Sequence, residues 1–138
     1  MLAPVLRSAA MPRDAELAVR AALAEACLLQ DDLDQAAAAL GRAPDSFRDT
    51  IPPGHLSTLW RLHGRLASAR GDQSRAIALH GRALKQAEAA HDSRAIGLAH
   101  YELGQCYRQV GDIAIVREHI TKAASALHAA GDRRHLAL

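Results

Sequence analysis

The 138-residue chain is 49% hydrophobic and 23% charged, and its net charge of +2, with no basic run interleaved with aromatics, argues against direct nucleic-acid binding. No apolar stretch approaches the length needed to cross a bilayer, and Met1-Leu2-Ala3-Pro4-Val5-Leu6 lacks the basic start of a signal peptide, so a cytoplasmic location is expected. About a fifth of the residues are Ala, Leu is abundant, and β-branched and aromatic residues are scarce, a balance that favours helix over strand throughout.

In chain order the pattern predicts six helices, at about 13–30, 32–42, 54–70, 73–90, 93–110 and 113–130. Pro12 opens the first, and Asp31-Asp32 marks the turn into the second. The acidic residues at 31, 32 and 34 read as capping and dipole residues of that helix start. Pro44, Pro52 and Pro53 shorten the second helix and make Gly41 to Gly54 the longest interruption, from which Phe47 and Ile51 are expected to tuck back onto the helices. Asp72, Asp92 and Asp112 are candidate N-caps, and Gly71, Gly111 and Gly131 candidate stops.

The turn pairs Asp31-Asp32, Gly71-Asp72 and Gly111-Asp112 recur every 40 residues and divide the chain into units 12–51, 52–91 and 92–131. Stacked in register, Arg20, Trp60 and His100 form one column, Leu23, His63 and Leu103 the next, then Ala24, Gly64 and Gly104, then Cys27, Ala67 and Tyr107. After the turn come Ala36, Ala76 and Val116, then Leu40, His80 and Ile120, then Ala43, Ala83 and Ala123. Small residues in mid-helix give little packing area unless two backbones approach closely there, so their threefold recurrence predicts helix crossings.

The second unit, Trp60-x-x-His63-Gly64-x-x-Ala67 followed by Gly71-Asp72, Ala76, His80 and Ala83, resembles the tetratricopeptide repeat, and the third supplies Leu103-Gly104-x-x-Tyr107, Gly111-Asp112 and Ala123. His63 and His80 depart from the family's Leu and aromatic, Val116 from its Ala, and the first unit matches only at Leu23, Ala24, Ala36 and Ala43. The resemblance implies an all-α fold of antiparallel helix-hairpin repeats stacked into a right-handed superhelix, an α-solenoid. A 40-residue unit exceeds the family's usual length of about 34, and this longer form is similar to repeats of bacterial signal-transduction regulators and kinesin light chains. The register makes residues 1–11 the end of a preceding repeat or an N-terminal extension, and 132–138 the start of a further helix. No polar capping element is visible, so either a longer protein or another chain is expected to cover the open repeat ends.

In the resembled family the first helix of each unit lines a concave groove. Its positions here are Ala18, Ala21, Glu25, Leu28 and Leu29 in unit one; Thr58, Arg61, Arg65, Ser68 and Ala69 in unit two; and Leu98, Tyr101, Gln105, Arg108 and Gln109 in unit three. The resemblance implies a non-catalytic protein- or peptide-binding module of a larger scaffold or regulatory protein. Thr58, Arg61, Arg65, Leu98, Tyr101, Gln105 and Arg108 would form a groove, apolar at one end and basic at the other, suited to an acidic or C-terminal peptide segment. Two other readings stand beside it: a small-molecule-sensing domain of a transcriptional regulator, and a structural spacer that self-associates through its open ends into a homo-oligomer. Arg outnumbers Lys 15 to 2 and Asn is absent, so the arginines also fit a bias of base composition, with the side chains simply solvated.

No catalytic residues, cofactor or metal are expected. There is no phosphate-cradling Gly-rich motif, nucleophile elbow or His-Glu-x-x-His. His63, His80 and His100 fall in inward columns but have no carboxylate or Cys spaced with them as a ligand set, while His119 and His128 are expected to be exposed. Cys27 and Cys106 are expected as free, packed thiols.

Overall fold

The computed structural model describes residues 13–41 and 51–137, with the side chains of 15–41 and 51–131. Among the described residues six helices follow in order: α1 Arg13–Leu29, α2 Leu33–Leu40, α3 Pro53–Ala69, α4 Gln73–Ala89, α5 Ser93–Val110 and α6 Ile113–Ala137. The expectations for residues 1–11 and for Phe47 lie outside the described residues, whereas Ile51 is buried as expected.

Aspartate starts four helices in the same way. The Asp32, Asp72 and Asp92 side chains accept from the backbone N–H of Gln35, Arg75 and Ala95, satisfying a donor the helix itself leaves unpaired. Asp112 holds the same relation to the N–H of Ile115, at 3.4 Å. The residue before each cap has positive φ: Asp31 at 60°, Gly71 at 86°, His91 at 52° and Gly111 at 88°. At each turn that residue donates to a carbonyl three residues back, and the following Asp donates to one five residues back, which is the Schellman closure. One backbone motif therefore ends a helix and the next residue caps its successor.

Asp and His are among the non-glycine types that best tolerate the left-handed region, but they still carry a steric penalty there. His91→Gly is expected to raise stability by about 0.5 kcal/mol or more, because the left-handed penalty of about 1–2 kcal/mol exceeds the extra unfolded-chain entropy of glycine. An unchanged or lower urea midpoint would show that the His91 side chain contributes more than its backbone strain costs.

The helices pair as antiparallel hairpins, α1 with α2, α3 with α4 and α5 with α6, and successive hairpins stack through α3 on α1 and α2, and α5 on α3 and α4. The core is shared between neighbours, with Ala24, Ala36, Leu40, Leu59, Leu62, Leu66, Ala76 and Ala83 all buried. Ser57 is buried and donates through Oγ to the Ala83 carbonyl, joining α3 to α4. The small column marks close crossings inside hairpins: a Cβ placed on Gly64 would lie 2.6–2.8 Å from the His80 ring, and one on Gly104 would lie 2.9 Å from Ile120 Cδ1.

The sequence expectation needs correction at Gly131. The helix runs through it to Ala137 rather than stopping at 130. Gly131 does not adopt the positive φ of Gly71 and Gly111. A mid-helix glycine costs about 1 kcal/mol, too little to end a helix on its own. The second helix is short, as the prolines suggested, and ends at Gly41, whose φ is 67°.

Candidate functional site

Between α3 and α5 lies a concavity of about 360 Å³ lined by Arg65, Ser68, Ala69, His80, Tyr101, Glu102, Gln105 and Cys106. Three of the expected groove residues, Arg65, Tyr101 and Gln105, meet there. Residues 65, 68 and 69 share one face of α3, and 101 and 105 stand one turn apart on α5, where Gln105 Nε2 donates to the Tyr101 hydroxyl at 3.1 Å. Thr58, Arg61, Leu98 and Arg108 do not line this concavity. Thr58 is half-buried and bonds back to the Gly54 carbonyl, Leu98 is half-buried, and Arg108 is exposed in the last turn of α5.

The basic residues have carboxylate neighbours within the chain. Arg61 Nη2 lies 3.9 Å from Glu25 Oε2, and Arg65 Nε lies 3.9 Å from Glu102 Oε2. Both distances exceed hydrogen-bonding range. Burial pushes the Arg61 pKa down from its ordinary value and the neighbouring Arg65 and Arg94 act in the same direction, opposed by Glu25 and Glu102. Burial likewise raises the Glu102 pKa against the pull of Arg65 and Arg61. The groove is therefore a half-buried, mixed-charge seam rather than a plain basic end.

Behind it sits His80, 1% exposed, with Nε2 3.7 Å from Glu102 Oε2 and Nδ1 buried without a hydrogen-bonding partner. Burial first, then Arg61 and Arg65, lower its pKa to about 4. At neutral pH the ring is uncharged, and its approach to Glu102 is a polar contact rather than an ion pair. Cys106 is equally inert: burial and Glu102 push its pKa up to about 11, so a negligible fraction is thiolate at pH 7. Cys106 is buried and Cys27 half-buried, both free thiols.

Glu102 was not among the expected groove residues. Its signal was present in the register, where it shares a column with Leu62, a fully buried position; a charge in such a column requires a partner. His119 also departs from expectation. It is half-buried, its Nδ1 lies 3.0 Å from His100 Nδ1, and its ring stacks on Tyr107 at 5.6 Å. His128 is exposed. No group of three or more metal-ligating side chains occurs among the described residues. A larger cleft of about 520 Å³ opens between Ala37, His63, Arg70 and Arg75, and none of the expected groove residues lines it.

No protein-family profile matches the chain, and no curated protein matches it by sequence. A solved structure does match: the TPR domain of Arabidopsis FLU, with a TM-score of 0.72, covering 86% of this chain and 99% of that one at 18% identity. The fold is that of a tetratricopeptide domain. The likeness agrees with the helical-hairpin reading of the repeat columns, and its low identity leaves the groove chemistry to be argued from this chain's own residues. Among the described residues, no helix is long and apolar enough to cross a membrane.

Proposed function

We propose that this chain is a non-catalytic protein- or peptide-binding module, a scaffold or regulatory part of a larger protein, that receives an acidic peptide segment in the concavity between α3 and α5. The observation that carries this reading is the convergence of Arg65, Ser68 and Ala69 of α3 with Tyr101 and Gln105 of α5 on one recess. At 3.9 Å from Glu102, the Arg65 guanidinium makes an electrostatic contact and leaves N–H donors for a guest carboxylate, which a planar fork binds bidentately. Tyr101, 44% exposed, offers a flat surface for an apolar anchor. Arg61 adds positive potential from beside the recess, and exposed Arg108 extends it along α5. The 40-residue unit supports placement with the long repeats of bacterial signal-transduction regulators and kinesin light chains, and a cytoplasmic setting suits such a module.

Charge reversal at Arg65 would set two carboxylates against each other, so Arg65→Gln and Tyr101→Ala are the cleaner variants. In fluorescence anisotropy against a panel of acidic and neutral peptides, acidic members are expected to bind. Each substitution should weaken them about tenfold, and binding should fall as salt rises. Equal affinity of wild type and both variants, with helical content unchanged, would sink the proposal.

A further inference from the structure

We propose that, where no further repeat of the same polypeptide covers these faces, copies of this chain stack head to tail, the outer face of α6 in one copy covering the outer face of α1 in the next, and so continue the superhelix beyond one molecule. Repeat columns show what each face is built for. On first helices, Leu59 and Ala99 are buried where Val19 is half-exposed, and Leu66 and Cys106 are buried where Ala26 is exposed. Leu62 is buried where Ala22 is exposed. In units two and three a preceding hairpin covers these columns; on α1, no described residue does. Ala15, Ala18, Val19, Ala22 and Ala26 consequently form an outward stripe without a charge, where a solvated helix face is ordinarily polar.

The trailing face mirrors it. Leu40 and His80 are 5% and 1% exposed, whereas Ile120 of the same column is 38% exposed; Ala87 is fully buried, whereas Leu127 is 37% exposed. Three bulky side chains on α6, Val116, Ile120 and Leu127, thus stand where unit two has Ala76, His80 and Ala87 under a following hairpin.

Register and volume select the occupant. His80 touches its own hairpin at Gly64 and the following unit at Glu102. Ile120 already touches its own hairpin at Gly104, and the column of Glu102 is occupied in unit one by Ala22. The next copy's Ala22 is therefore the counterpart Ile120 lacks. Large side chains on α6 meet small ones on α1, as the buried alanines of α2 meet the leucines of α3 inside the chain. Pairing α6 with α6 would set large against large, and α1 with α1 small against small. The joint is heterologous, so it does not close at a dimer.

The test is sedimentation velocity on the 138-residue chain from roughly 10 µM to 1 mM, the range suited to a modest interface. The weight-average mass is expected to rise with concentration past twice the 14.7 kDa of one chain. Ala22→Glu and Ile120→Glu should each remain monomeric alone, yet an equimolar mixture should form a dimer and stop there, since only one good joint exists between them. Ala22 is exposed, so Ala22→Glu is expected to keep the fold; added to wild type it should shorten the assemblies even if Ile120→Glu fails to fold. A wild-type chain monomeric throughout the range, as when another segment or partner protein is the natural cover, overturns the proposal. So does a species that stops at a dimer and persists in either variant alone, which is face-to-face pairing.

Discussion

Lowering the pH from 7 to 4 is expected to remove about 3 kcal/mol of stability through His80 alone. The ring's pKa is depressed from 6.5 to about 4 in the folded chain, so the unfolded chain binds the proton first. The contribution is fully present above pH 6.5 and is lost as pH falls toward 4. Its causes all lie within reach of the ring: burial between Gly64 and α5, with Arg61 and Arg65 adding positive potential. Glu102 acts with opposite sign, since its raised pKa makes the ionised form costly and protonation on acidification recovers some stability. His80→Leu isolates the histidine. Leucine already occupies this column at Leu40, and the change removes a buried Nδ1 that has no partner. Urea unfolding at pH 7 and pH 4 should show a wild-type loss about 3 kcal/mol larger than that of His80→Leu. Parallel pH profiles would mean that the ring charges without leaving its site.

Gly64→Ala is expected to cost about 1–3 kcal/mol, although alanine is the better helix former. The added methyl would press on three atoms of the His80 ring at 2.6–2.8 Å, and that ring is enclosed on its other side by the following hairpin. Gly104→Ala makes a similar approach to Ile120, but there the neighbour is a terminal methyl on a side chain 38% exposed, free to turn away. Its helix-propensity gain of about 1 kcal/mol should leave the change neutral or stabilising. Thermal midpoints of the two variants test the contrast. Equal losses would place the cost in the shared column geometry rather than in the neighbour's freedom to move.

These two glycines show how far the residues speak for themselves. Their column was legible because a close helix crossing excludes a side chain wherever the repeat places it, so it recurs at 24, 64 and 104. The turns were legible for a similar reason: a left-handed residue followed by a capping Asp is local chemistry, decided within six residues of chain. Gly131 misled because a glycine signals a stop only when the backbone actually turns there, and α6 continues.

The candidate site was legible only in part. The family pattern picked out Arg65, Tyr101 and Gln105, which do line one recess, but the carboxylates opposite the arginines come from other units: Glu25 from α1 for Arg61, and Glu102 from α5 for Arg65. Their separation in the chain carries no periodic signal, and burial, which sets the direction of the Arg61 and Glu102 pKa shifts, exists only once the hairpins stack. The pairing of His119 with His100 is of the same kind, joining α6 to α5 across 19 residues.

Local chemistry, then, is enough to specify the described helices, their caps and the small crossings, because each depends on side chains a few positions apart or on a steric rule repeated from hairpin to hairpin. Which arginines face a carboxylate, which histidine is held uncharged, and which apolar columns are buried follow instead from how the hairpins stack. Electrostatics and desolvation depend on distance in space, and stacking is what sets that distance.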